Sequence, residues 1–153
     1  MKGILLLSIV SAASVYILIF VGGLVTRLGL GLSAGIDWPI PAQGLFPSSE
    51  NFLEYFHRAW SGVVGLFIVG TAIFAWRGRS GISRIALIMS FVTLVLVGAQ
   101  ILLGWLVLQS YLHPVVVAAH NNLASAIFAT SIATVVLFTM PQKGPLQPAA
   151  VPS

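Results

Sequence analysis

A chain of 153 residues that is 58% hydrophobic and only 7% charged, with a mean hydropathy of +1.04, lies far from the roughly 25% charged residues of a soluble domain and argues against a water-soluble fold. Its net charge of +4 comes from basic residues scattered over the ends of apolar runs, not from the continuous basic stripe that nucleic acid requires. The lack of cysteine excludes disulfides, thiolate metal ligands, thioether haem attachment and a cysteine nucleophile, so redox chemistry has to come from a bound cofactor.

The first apolar run, residues 4–25, exceeds the about 20 residues that one bilayer crossing needs. It is longer than the core of a signal peptide and no clear small-x-small cleavage pattern follows, so it is read as a retained helix. Residues 26–52 form the longest connection, with Gly29, Gly31, Gly35 and Gly44 interleaved with Pro39, Pro41 and Pro47. A link of that length is expected to cap a site, and its prolines keep it from continuing as helix. The second run covers residues 53–76, a short loop carrying Arg77, Arg79 and Arg84 follows, and the third run covers 85–108. The fourth, 114–140, opens on Pro114, which suits a first helical turn. Residues 141–153 hold four prolines and are expected to be mobile. The expected fold is therefore all-α: an integral membrane four-helix bundle forming one unit over residues 1–140, in the cell (plasma) membrane. Lys2, Lys143 and the loop arginines fall on one side after four crossings, which predicts cytoplasmic termini by the positive-inside rule.

Polar side chains within the runs gather at the opposite, outer ends: Glu54, His57 and Arg58 in the second, Gln100 in the third, and His120, Asn121 and Asn122 in the fourth. His57 and His120 lie at about 6 and 9 Å below the outer ends of their helices. Two imidazoles at matched depth on two helices are the simplest bis-histidine arrangement for haem iron. Glu54 shares a face with His57 and is spaced to pair with Arg58. Arg27 and Arg58 stand on the outer side against the positive-inside bias, where haem propionates would meet them.

Plainer readings compete. A lone intramembrane histidine is more often a hydrogen-bonding or proton-relay residue than a ligand; the matched depth of two shifts the balance toward ligation. Glu54 serves either to neutralise Arg58 or to take part in chemistry. Gln100, Asn121 and Asn122 are expected to bond between helices, and Gly62, Gly65, Gly98 and Gly104 to mark close packing. His113, just before Pro114, is expected outside the helix and near the surface.

Taken together, Gly22-Gly23-Leu24-Val25-Thr26-Arg27, Gly31-Leu32-Ser33, Asp37-Trp38-Pro39, Glu54-Tyr55-Phe56-His57-Arg58, Gly98-Ala99-Gln100 with Gly104, and Pro114 through to His120 make the chain resemble the haem A synthase family in a short, half-length form. The resemblance implies that His57 and His120 are haem-iron ligands and that Glu54 is the acidic residue preceding the first ligand by three, here the candidate catalytic group. It also implies that Arg27 and Arg58 are basic cofactor-binding positions. The implied reaction is conversion of haem O to haem A by oxidation of a ring methyl to a formyl group, with haem b as cofactor and haem O as substrate. Many relatives carry a cysteine pair in the first outer loop, which is absent here. The common form has eight helices in two homologous halves, whereas this chain has four. A homodimer about an axis along the membrane normal would rebuild the pair of halves. Further partners implied are a haem O synthase or a terminal oxidase, and the lipid bilayer itself. The rival functions are a bis-histidine b-type cytochrome for electron transfer and a haem-handling oxidase assembly subunit. A protease is disfavoured, because no serine or metal constellation accompanies the histidines.

Overall fold

The structure, a computed structural model, describes residues 2–41, 44 and 46–140. It contains four long helices: α1 (Lys2–Arg27), α2 (Phe52–Arg77), α3 (Arg84–Gln109) and α4 (Pro114–Thr139), with a single 3-10 turn at Arg79–Gly81. Each has 26 residues and is apolar enough to cross a membrane, a length of about 39 Å at 1.5 Å per residue. Helices are the expected response of such sequences to lipid, because every backbone polar group then finds its partner within the segment. The helices begin and end within two residues of the limits read from hydropathy. The proline-rich tail, with its expected mobility, lies outside the described residues.

The helix ends follow local chemistry. α1 stops at Gly29, whose φ of 70° suits glycine in the left-handed region; Leu30 N–H then reaches back to the Val25 carbonyl at 2.9 Å. Ser83 caps α3 by accepting from Ala86 N–H at 3.1 Å, satisfying a donor that a helix start leaves unpaired. Pro114 occupies the first turn of α4.

Around the bundle, α1 packs on α2 and α4, and α3 packs on the same two helices. α2 and α4 are therefore diagonal neighbours facing each other across the interior. Two apolar clusters fill that interior, one of Val15, Val64, Ile68 and Ile127, the other of Ala75, Ala86 and Phe138 toward the arginine-bearing end. Large side chains such as Leu66, Val95, Leu102 and Val115 point outward, as a lipid-facing surface requires.

Two expectations change. Polar groups are not confined to one end of the bundle: Ser8, Ser11, Thr71, Ser90, Thr93, Ser131 and Thr134 are all buried in the half nearer the arginines. Of the glycines expected at close contacts, Gly62, Gly65 and Gly98 would have no atom within 4 Å of an added Cβ, whereas Gly104 does abut a neighbour. At these three positions no described atom of another helix lies close, so intramolecular packing does not account for them.

Ala75 and Ala86 are fully buried, so their small side chains set how closely α2, α3 and α4 approach. Ala86→Leu is expected to overpack this contact at a cost of roughly 1–3 kcal/mol, read as a lower thermal midpoint in detergent. Leu66→Ala on the lipid face should leave that midpoint nearly unchanged; equal effects would contradict this placement of the core.

Candidate functional site

His57 sits in the second turn of α2 and His120 in the second turn of α4, about 8 and 9 Å from the long-loop ends of their helices. Because these helices are diagonal, the two rings come from opposite sides of the bundle. Glycines on the other two helices make room for them. A Cβ on Gly22 of α1 would stand 2.8 Å from His57 Cε1, and one on Gly104 of α3 would stand 3.4 Å from His120 Cε1.

Each ring is only partly satisfied. Gln100 of α3 places its Nε2 3.2 Å from His120 Nε2 and donates to the His120 backbone carbonyl at 3.1 Å, the interhelical bond expected of it. His57 Nδ1, His120 Nδ1, Gln100 Oε1 and the indole nitrogen of Trp60 are nevertheless buried without a hydrogen-bond partner. Polar atoms left bare in an apolar interior are costly and call for a ligand or water. Among the described residues no three His, Cys, Asp or Glu side chains converge on a metal-sized site. Two imidazoles thus suit a metal that brings its remaining ligands with it, which is what haem iron does. The residues fit that group.

Above the histidines Glu54 closes a clamp. It is 2% exposed, and one oxygen accepts from Ala34 N–H at 2.6 Å and from Ser33 Oγ at 3.0 Å. The other oxygen pairs with Arg58. Arg58 in turn donates to the Gly35 carbonyl at 2.5 Å and to the Asp37 carbonyl at 2.9 Å. Gln109 of α3 holds the Ile36 carbonyl from the far side at 3.2 Å. Leu112, in the left-handed region at φ 62°, packs so closely on Gly31 that an added Cβ would sit 3.0 Å from it. The segment around residues 31–37 is thereby fastened over the bundle end by α2, α3 and the α3–α4 turn, as a capping loop requires. Of the two readings of Glu54, the pairing with Arg58 is the one in place.

The remaining candidates are spread out. Arg27 is exposed in the last turn of α1, with no ion pair among the described residues. Three of the five N–H donors of an arginine are spent at Arg58, and its side chain borders a cleft of about 190 Å³ with Pro39, Ile40, Pro41, Tyr55 and Ala59. His113 precedes α4 and is exposed, as expected. Asn121 and Asn122 do not join helices: both are exposed, and Asn122 bonds to the Ala118 carbonyl of its own helix at 2.8 Å. Sequence reasoning missed the aromatic ladder of Phe52, Phe56 and Trp60, stacked at 6.3 and 5.8 Å. Its spacing of four was the available signal.

The chain matches the COX15-CtaA family model, described as cytochrome oxidase assembly protein, over residues 45–152. It is similar to heme A synthase of Alkalihalophilus pseudofirmus, at 32% identity over 91% of this chain and 46% of that protein. Similarity extends to heme A synthases of Bacillus cereus, at 30% identity over 90% and 45%, and of Bacillus pumilus, at 28% over 82% and 41%. The chain thus spans about half the length of the curated relatives it matches. No solved structure matches it significantly.

Removing the carboxylate should release the cap. In Glu54→Ala, the Ala34 N–H, the Ser33 hydroxyl and one Arg58 N–H lose their acceptor, each on a scale of about 1–3 kcal/mol for an unsatisfied buried group. The expected outcome is faster proteolytic cleavage within residues 31–37 at unchanged helical content by circular dichroism. Unchanged cleavage would show that the clamp does not hold the loop.

Proposed function

The chain belongs to the COX15-CtaA family of cytochrome oxidase assembly proteins and is a multi-pass protein of the plasma membrane; on that premise we propose that it acts in haem A biosynthesis, as an enzyme oxidising a ring methyl of haem O to the formyl group of haem A, with the formyl oxygen drawn from water and the four electrons passed to an electron acceptor outside this chain. The observation that carries this reading is the pair of buried imidazoles from diagonal helices, each with a bare Nδ1 and each lying against a glycine of an adjacent helix. His57 and His120 are the residues that hold haem b iron. Bound there, the haem supplies the electron-transfer chemistry that the side chains of this chain lack.

The protein's own contribution is position and charge. Gly22 and Gly104 leave the rings space, and Gln100 fixes the height of His120 by bridging its ring and its backbone. Arg27 and the unspent donors of Arg58 are the groups for propionates. Glu54, one helical turn from His57, is the carboxylate that takes a proton from the reacting substrate. Since both its oxygens are engaged in the clamp, that role requires Arg58 and the residue 33–37 segment to release it first. The arginine-bearing end faces the cytoplasm. Two copies of the chain form a homodimer that restores the two halves of the longer relatives, receiving haem O from a haem O synthase and serving a terminal oxidase.

A second reading, a bis-histidine b-type cytochrome that only transfers electrons, is favoured by the engagement of Glu54, which leaves no free carboxylate at the rings. A haem-handling oxidase assembly subunit shares the same histidines. The full chain expressed with a haem O source separates these by pigment extraction and reduced spectra. Conversion predicts haem A from the wild type and none from Glu54→Ala, with haem still bound. His57→Ala and His120→Ala each lose the bis-histidine spectrum. Bound haem with no haem A under any condition would leave the cytochrome reading, and absence of bound haem after loading would remove both.

A further inference from the structure

α4 meets the lipid with a surface unlike that of its neighbours. α1, α2 and α3 turn large apolar side chains outward, Phe20, Leu66, Val95 and Leu102 among them. Between Val115 and Ile132, α4 turns out none. Its outward residues there are small or polar: Ala118, Asn122, Ser125 and Ala129, spaced four, three and four, are all exposed and follow one face of the helix. Asn121 is exposed on the flank toward α1, two turns before Phe128, whose ring lies against Tyr16. α2 has a similar gap between Phe52 and Leu66, but there Pro39, Ile40 and Pro41 already stand beside Tyr55 and Ala59.

Small residues permit a close approach without calling for one. The carboxamides do call for one. α4, about 39 Å long, overhangs a hydrocarbon core of about 30 Å by a few Å at each end. Asn122, eight residues past Pro114, is about 12 Å from the helix start and therefore lies within hydrocarbon. Its Nδ2 donates one hydrogen to the Ala118 carbonyl at 2.8 Å, which leaves an N–H and the Oδ1 acceptor unused. The Asn121 side chain makes no hydrogen bond among the described residues. Acyl chains supply neither donors nor acceptors, so these amides are satisfied only by another polypeptide segment.

The chemistry of the amide selects that segment. A neutral group left with one donor and one acceptor calls for no charged partner, and another carboxamide in the reverse sense answers both of its needs at once. A two-fold axis along the membrane normal provides such a group, because it sets each residue of α4 opposite itself at equal depth. A single asparagine within a helix–helix seam also fixes the register of the pair. We infer that the outer face of α4, centred on Asn122 with Ala118, Ser125 and Ala129 around it, is the docking surface for a second copy of this chain. The two α4 helices run parallel, and their Asn122 carboxamides pair across the axis. This rests on the homodimer of the proposed function and gives it a surface. His120 precedes Asn122 by two residues and so lies on the opposite side of α4; the paired α4 helices then separate the two histidine sites, which stand back to back.

Because the chain has no cysteine, single-cysteine variants of the full chain in its host membrane report proximity directly. Ala118→Cys and Ala129→Cys on α4 are oxidised with copper phenanthroline alongside Leu66→Cys and Leu102→Cys, on the outward faces of α2 and α3. The expected result is a disulfide-linked dimer from the two α4 positions and none from the other two. By native mass spectrometry in detergent, Asn122→Leu is expected to shift the chain from dimer to monomer at unchanged helical content, and Asn122→Gln to keep the dimer. A dimer linked through Leu66→Cys or Leu102→Cys and not through α4, or one that Asn122→Leu leaves intact, overturns this surface while the homodimer stands. A product of Ala118→Cys with a different protein of the membrane overturns it as well. A wild-type chain that is monomeric throughout overturns both this surface and the homodimer.

Discussion

A polar group inside a lipid-surrounded bundle has no water to fall back on, so each one must be satisfied by another part of the protein or by something bound to it. The architecture follows from where these groups are placed. Toward the long loop, two imidazoles and the Gln100 carboxamide lie within the bundle beneath a carboxylate–guanidinium clamp. Toward the arginines, short hydroxyls converge. Between them Val15, Val64, Ile68 and Ile127 form an apolar layer that separates the two.

The two polar layers differ in how completely they are closed. The clamp is nearly self-sufficient: both oxygens of Glu54 are engaged, and Arg58 distributes its donors between that carboxylate and the loop carbonyls. It joins α2 to a loop that Gln109 also grips from α3. The histidine layer beneath it is open by comparison, with a bare nitrogen on each ring and a bare oxygen on Gln100. That contrast separates the element that holds the cap from the layer whose polar atoms are left bare. It also gives Glu54 a structural duty that any chemical role has to interrupt.

Much of this was legible beforehand. Hydropathy identified four helices because a crossing needs a long uninterrupted apolar run, and depth along each helix placed His57 and His120 at the same level. The pairing of Glu54 with Arg58 followed from their spacing of four, and the contact of Gln100 with α4 from the cost of an amide in lipid. The hydroxyl layer escaped notice because serine and threonine satisfy themselves on their own helix and so interrupt no apolar run; the recurrent i, i+3 pairs at Ser8, Ser90 and Ser131 were the unused signal. Gly62 and Gly98 misled for the opposite reason. A missing side chain permits close approach but does not say which helix face turns inward. Asn121 and Asn122 failed likewise, since their faces are set by the packing of α4 on α1 and α3.

The sequence by itself therefore determined the membrane-spanning character, the number and length of the helices, and the depth of Glu54, His57 and His120, because those depend on distance along one chain. Only the tertiary structure decided that α2 and α4 are diagonal, so that His57 and His120 come from opposite sides of the bundle. Only it showed that Gly22 and Gly104 are the glycines opposite the rings, and that Glu54 reaches the backbone of Ala34 as well as Arg58. These are relations of azimuth between helices, and azimuth is set by the joint packing of four surfaces that no single helical pattern contains.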